Sequence, residues 1–268
     1  MMARSSTHPV KRWLRRLGIV LASVLVLLGA LAFVAFRTNL LLSSLETGAL
    51  GSEREADALL RGLAAAHGTP ERWRSQGHLV MRVRGNVAFF AARRAFGLDQ
   101  AKIELTLRFR PNAPGRYHYV LVDGARVRRG HVDTRRDRDG LGLLLDSVHH
   151  LFALPFVAGE IPVRRGMARA PSGEQRAFFT WGRGTAASPK HDQVVLWTRA
   201  GGLVRMDTTG RDIAPFIVAR VQFEGTVRMG QLRLPARATV YDDRFGRLVQ
   251  RFELVSIARE PGAAVSHR

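Results

Sequence analysis

From residue 78 onward, hydrophobic and polar positions alternate with a period of two along most of the chain. Over 101–110, Ile103, Leu105, Leu107 and Phe109 alternate with Lys102, Glu104, Thr106, Arg108 and Arg110. That pattern predicts a strand with one apolar and one solvated face. The same period predicts strands over 78–84, 116–122, 126–132, 175–181, 193–199, 203–208, 217–223, 232–241 and 248–257, ten in all. Turn residues separate them, among them Asp123-Gly124, Gly201-Gly202, Met229-Gly230 and Asp242-Asp243-Arg244-Phe245-Gly246. Pro235 falls inside a strand pattern and predicts an edge or a bulge, because proline supplies no ladder N–H.

Two segments follow the helical period instead. Ser52-Glu53-Arg54-Glu55 matches a capping box, with Ala56, Leu59, Leu60, Leu63 and Ala64 on one stripe and Gly68 after His67 as the stop. Thr69-Pro70 then opens a short turn of helix that carries Trp73. Further on, Leu143, Leu144, Leu145, Val148, Leu151 and Phe152 have helical spacing over 141–154, with Pro155 as the predicted limit. An apolar helix set among antiparallel strands must cover a face of the sheet, where it completes the core or walls off a cavity.

Residues 17–36 form a run of twenty without a charge, and at about 1.5 Å per residue they match a hydrocarbon core of ~30 Å. Lys11, Arg12, Arg15 and Arg16 precede the run, with Arg4 upstream, whereas 37–52 sets Arg37 against Glu46. This asymmetry predicts a single-pass protein of the inner (plasma) membrane, with a cytoplasmic N-terminus, Trp13 near the inner interface and an extracytoplasmic or periplasmic main domain. A cleaved signal peptide is the competing reading, since Ala30-Leu31-Ala32 offers small residues at cleavage spacing. Phe33-Val34-Ala35-Phe36 prolongs the apolar run and favours an uncleaved anchor. The predicted organisation is a basic N-terminus (1–16), anchor (17–36), tether (37–51), β-domain (52–258) and tail (259–268).

Composition narrows the chemistry. With 268 residues and 46% hydrophobic content the chain can bury a core, and its lack of cysteine excludes a disulfide framework, a cysteine-ligated zinc, a thiol nucleophile and an acylated cysteine. Of 42 basic residues 39 are arginine, against 22 acidic ones. Such an excess suits a polyanion, for instance anionic headgroups. Over 101–110, however, the charges lie on the solvated face of a strand. Arg126, Arg128, Arg129, Arg135, Arg136 and Arg138 are interrupted by Asp133, Asp137 and Asp139 and read as a charged turn. A distributed solvated surface is therefore favoured over a dedicated nucleic-acid surface, and no specific nucleic acid is expected.

No G-x-S-x-G or H-E-x-x-H motif occurs. Gly182-Arg183-Gly184-Thr185 lacks the strand, lysine and helix of a phosphate loop and reads as an exposed turn. His149 and His150 point about 100° apart on a helix, cannot jointly hold one metal, and read as a polar helix face. Asp242 and Asp243 read as turn residues rather than paired catalytic carboxylates. No catalytic residue, metal or cofactor is expected.

The order of anchor, helix ending in Ala66-His67-Gly68, a turn bearing Trp73, then antiparallel strands around one central helix resembles the LolA/LolB-like lipoprotein-carrier superfamily. The resemblance also uses Leu151-Phe152-Ala153-Leu154-Pro155-Phe156, Val194-Val195-Leu196-Trp197 with Gly202-Leu203-Val204-Arg205-Met206-Asp207, and Leu234-Pro235-Ala236 with Tyr241-Asp242-Asp243-Arg244-Phe245-Gly246. It covers roughly 52–258. It implies a strongly curved, incomplete β-barrel with helices over its mouth, a cavity for acyl chains or lipids, and no reaction. The chain departs from the soluble carriers by its anchor and from the outer-membrane receptors by having no acylation cysteine, which speaks against lipoprotein shuttling between membranes.

The expected fold is therefore mainly β with helices (α+β), a strongly curved antiparallel sheet with an N-terminal helix and a central covering helix, preceded by one transmembrane helix. The expected function is binding of a lipid or other apolar ligand in a cavity lined by Leu105, Leu107, Phe109, Tyr119, Leu144, Phe152, Phe156 and Trp197. The membrane and its anionic headgroups are the expected partners. An envelope interaction or assembly protein with a filled β-core is the alternative, ahead of an enzyme.

Overall fold

A computed structural model of the chain describes residues 20–30, 45–134, 136, 139–181, 191–210 and 217–260. The chain divides into two units, Met1–Leu42 and Ser43–Arg268. In the first, helix α1 (Val20–Ala30) is apolar and uncharged, and Leu21, Leu25 and Leu28 are exposed. The basic residues before it, Trp13 and Ala32 lie outside the described residues.

The second unit is mostly antiparallel sheet with a few helices. Its elements run α2 (Glu53–His67), α3 (Pro70–Arg74), β1 (Leu79–Val87), α4 (Phe90–Ala95), β2 (Lys102–Phe109), β3 (Arg116–Asp123) and β4 (Arg126–Asp133). Helix α5 (Gly140–Val157) and a 3-10 turn (Ala158–Glu160) follow. The chain then continues through β5 (Val163–Met167), β6 (Gln175–Thr180), β7 (Gln193–Arg199), β8 (Gly202–Thr209), β9 (Val218–Met229), β10 (Leu232–Asp242) and β11 (Arg247–Arg259). The eleven strands form one sheet in the order β4-β3-β2-β1-β11-β10-β9-β8-β7-β6-β5. Two meanders are thus joined where β1 pairs with β11, and β4 and β5 are the open edges.

All ten strands read from the alternation are present, and β2 shows why, since its exposed and buried positions alternate along its length as the sequence does. Two elements escaped the pattern. Strand β5, Val-Arg-Arg-Gly-Met, has no alternation and is fixed by its neighbours: β6 on one side and, on the other, a bridge from Leu50 to Met167 with Gly51 N–H donating to the Gly166 carbonyl at 2.8 Å. That short segment covers part of an edge that would otherwise offer unpaired backbone groups. Helix α4 is six residues long with no side-chain cap and no buried residue, so nothing in its composition announces it. Arg126, Arg128 and Arg129, read above as part of a charged turn, lie in β4, because pairing with β3 extends the backbone there.

The capping box forms as read: Glu55 N–H donates to Ser52 Oγ, and Ser52 N–H donates to Glu55 Oε2 at 2.7 Å. Gly68 ends α2 at φ 107°, and the space a Cβ would need lies 2.7 Å from Leu232 Cδ2, so the helix terminus rests on the start of β10. His67 fastens the same junction. Its Nδ1 lies 2.7 Å from the Arg233 carbonyl, and its Nε2 accepts the Leu203 N–H at 3.1 Å. Pairing of β10 with β11 begins only at Arg237, so Pro235 sits on a stretch bonded to β9 alone, a local edge that tolerates a missing N–H.

Helix α5 corrects one expectation. It does not stop before Pro155 but runs to Val157. Proline inside a helix removes a hydrogen bond and costs about 3 kcal/mol. Here it falls in the last turn, and continuing the helix buries Phe156 against the Trp73 ring, with centroids 4.8 Å apart. At the other end, Gly140 meets α4 so closely that a Cβ would lie 1.6 Å from the Ala95 carbonyl oxygen. Gly140→Ala is expected to lower stability by about 1–3 kcal/mol, as overpacking against backbone does, read as a shift in the urea midpoint.

Candidate functional site

Helices α2 and α5 lie on one face of the sheet. Strand periodicity turns Leu79, Met81, Leu105, Leu107, Phe109, Tyr117, Leu121, Phe252 and Leu254 to that face, where they join Leu59, Leu63, Trp73, Leu144, Val148, Phe152 and Phe156 in one buried apolar cluster. The expected lining residues Leu105, Leu107, Phe109, Leu144, Phe152 and Phe156 all belong to it, and Leu107, Leu144 and Phe152 have no exposed surface (0%). Tyr119 is half-buried against the same cluster and pairs with Leu107, its ring over Gly130 where a Cβ would be 3.1 Å from the hydroxyl.

Trp197 is not with them. Its neighbour Leu196 belongs to the cluster, and strand alternation sends the indole to the opposite face. There the indole N–H donates to Asp207 Oδ2 at 2.8 Å, and the guanidinium groups of Arg205 and Arg176 sit 4.4 and 5.0 Å from its ring centroid. Phe178 and Val195 on that face are buried as well, so β6 and β7 are covered on both sides. That accounts for their nearly continuous apolar runs.

A polar group interrupts the apolar face where α5 crosses β3. The Tyr117 hydroxyl donates to Asp146 Oδ1 at 2.8 Å, and His149 Nδ1 lies 3.1 Å from the same hydroxyl. A proton order that satisfies all three runs from His149 Nδ1–H to the Tyr117 oxygen and from the Tyr117 O–H to the Asp146 carboxylate. Burial raises the Tyr117 pKa, with Asp146 adding to it, so the phenol keeps its proton. Burial, reinforced by the neighbouring His150, pushes His149 down to about 3, so its imidazole is neutral.

The surroundings of His149 are aromatic: Phe109 at 4.7 Å, Tyr117 at 5.5 Å and Trp73 at 6.5 Å between centroids. Two polar atoms buried among these rings, His149 Nε2 and Trp73 Nε1, have no hydrogen-bond partner among the described residues. One is a bare acceptor and the other an N–H donor.

The polar helix face read for the two histidines is right for His150, which is exposed, and wrong for His149, which is 1% exposed. The group of Tyr117, Asp146, His149 and Trp73 was not anticipated. The available signal was Asp146 itself, a lone acid in an apolar helix. Asp242 accepts the Arg244 and Phe245 N–H groups with Oδ1, a turn role as read. Gly182-Arg183-Gly184-Thr185 lies outside the described residues.

No protein-family model matches the sequence, and no curated protein matches it. Among solved structures the chain is similar to the LolA superfamily protein NE2245 from Nitrosomonas europaea, at 8% identity and TM-score 0.40 over 75% of this chain and 92% of that one. It is also similar to a DUF1329 family protein from Desulfovibrio piger, at 11% identity and TM-score 0.36 over 78% and 95%. An outer membrane lipoprotein-sorting protein domain from Vibrio parahaemolyticus follows at 8% identity and TM-score 0.35 over 78% and 95%. The first of these belongs to the superfamily that the sequence resembles.

Proposed function

We propose that the chain is a membrane-anchored, extracytoplasmic domain that binds a lipid or another mainly apolar ligand and performs no catalysis. The observation that carries this is the buried pair of Trp73 Nε1–H and His149 Nε2, a donor and an acceptor without partners inside an aromatic and aliphatic interior. Orphaned buried polar atoms cost about 1–3 kcal/mol each. An acyl chain carrying one hydroxyl group, which can accept from the indole N–H and donate to the imidazole nitrogen, would satisfy them if it entered between α5 and the sheet.

In this reading the open sheet curls into an incomplete barrel around α2 and α5. Asp146 touches β3, and the backbone from there to β5 spans roughly 33 Å as helix, 3-10 turn and extended chain. Nine flat interstrand spacings would need roughly 43 Å. The contacts of α2 with β5, β6, β8 and β10 also fit a sheet that wraps around it. The uncharged run at 17–36, preceded by basic residues, supports a single inner-membrane span with the β-domain outside. The Arg-rich solvated face would then stand near anionic headgroups.

Full-length protein in a neutral detergent should carry one acyl-chain lipid per chain by native mass spectrometry. Trp73→Phe keeps the ring stack, removes the N–H, and should weaken rebinding of a fluorescent monoacylglycerol by about 5–10-fold, as loss of one hydrogen bond does. A chain that neither retains nor takes up lipid sinks this reading.

The interaction-protein alternative would then stand. It is favoured by the full burial of Leu107, Leu144 and Phe152 and by the edge strand β4, which leaves Val127 52% exposed for pairing with a partner strand. Topology is tested by fusing a reporter active only outside the cytoplasm after residue 268. It should be active, and activity of a cytoplasm-only reporter there would reverse the orientation.

A further inference from the structure

At the end of the sheet where β2 turns into β3, the solvated face carries a cleft of about 510 Å³. Its lining includes Arg108, Arg110, Arg116, His78, His118 and His131, with Glu260 as the lining acid. Strand geometry gathers them: Arg108 pairs with His118 and His118 with His131, while each alternates with a residue of the core face. The two imidazoles lie side by side, centroids 4.9 Å apart.

The charges do not cancel. Glu260 lies 3.4 Å from both Arg108 and His78. Asp133 takes Arg116 at 3.3 Å. Arg110 donates its Nε–H to His78 Nε2, a neutral acceptor. Three guanidinium groups thus face two carboxylates, and Arg110 has no carboxylate partner among the described residues. Guanidinium forks match phosphate oxygens in geometry as well as charge, and imidazole N–H groups add further donors.

We propose that this cleft is a phosphate site that takes a phosphate mono- or diester carrying a small polar group, with Arg110 and Arg116 as its main ligands. The volume exceeds a bare phosphate and falls within the usual range of small-ligand sites, ~300–1,000 Å³. The site deepens the headgroup part of the proposed function and rests on that part alone, because Arg108, His118 and His131 alternate with residues of the apolar cluster and Phe109 is the lining residue the cleft shares with it. Two sources share this chemistry, a phospholipid headgroup and a free phosphate ester.

The test titrates full-length protein in neutral detergent with inorganic phosphate, glycerol 3-phosphate, dihexanoylphosphatidylglycerol and dihexanoylphosphatidylcholine. Saturable binding of glycerol 3-phosphate or phosphatidylglycerol is expected. The tighter of the two identifies the source, and inorganic phosphate should be weaker than both. The double variant Arg110→Gln/Arg116→Gln should raise the dissociation constant at least 10-fold. The charge-matched Arg228→Gln/Arg251→Gln, on exposed arginines of β9 and β11, should change it less than 2-fold. Arg116→Lys, which keeps the charge and loses the fork, should fall between them and guards against a folding artefact. Equal losses in the two double variants, or no saturable binding of any probe, overturn the proposal. Loss of phosphate binding with lipid uptake retained rejects this site alone, and the converse rejects the apolar-ligand reading alone.

Discussion

Replacing Trp73 by alanine is expected to lower the stability of the β-domain by about 3–5 kcal/mol, the range for deleting a large buried aromatic. Trp73 is 1% exposed and belongs to a five-residue helix, so its indole is held by contacts made elsewhere in the chain. It stacks on Phe156 at 4.8 Å with an interplanar angle of 12° and meets Phe109 at 6.1 Å and His149 at 6.5 Å. Its removal would leave a void where α3, α5 and β2 meet, with little freedom to collapse because Phe109 is fixed in the sheet. Urea unfolding of full-length protein in neutral detergent measures the loss. A change below about 1 kcal/mol would mean that the aromatic stack does not hold α5 on the sheet. Comparison with Trp73→Phe separates packing from the buried indole N–H, which has no partner among the described residues, since phenylalanine refills most of the space.

Acidification should destabilise the domain through two buried histidines, well above the pH at which carboxylates begin to protonate. The His149 pKa is lowered to about 3 by burial and then by His150. That of His67 is lowered by burial, which outweighs its bond to the Arg233 carbonyl. A base with a lowered folded pKa binds more protons when unfolded, so its stabilising effect is complete above the unfolded value of about 6.5 and declines as pH falls below it.

For His149 the decline continues to about pH 3, and by pH 5 it amounts to roughly 2 kcal/mol. His67 adds to it with the same sign. Denaturant midpoints at pH 7.5 and 5.0 check the effect. His149→Phe, which keeps an aromatic ring and leaves Tyr117 bonded to Asp146, should remove much of the pH dependence. An equal midpoint at both pH values for the native chain would contradict a neutral, buried His149.

Period and capping made most of the fold legible in the sequence. The alternation in 101–110 fixes which side of β2 is buried, because successive side chains in a strand point to opposite faces whatever the tertiary context. The Ser52 and Glu55 box and Gly68 delimit α2, because the bonds they make are local to the helix ends. The grouping of Leu105, Leu107, Phe109, Leu144, Phe152 and Phe156 follows from the same periodicities.

What depended on long-range approach could not be read from periodicity. Strand β5 exists because β6 and Leu50 lie beside it. Helix α5 passes Pro155 because Phe156 gains Trp73 as a neighbour. Trp197 faces away from the cluster, opposite its neighbour Leu196, and the nearly continuous apolar pattern of β7 gives no sign of which side it takes. The Tyr117, Asp146 and His149 group joins residues about thirty positions apart, and the phosphate cleft unites β1, β2, β3, β4 and the end of β11. Local periodicity decides which face a side chain takes. Which partners meet there, and whether a buried polar atom finds one, is set by the packing of elements distant in sequence.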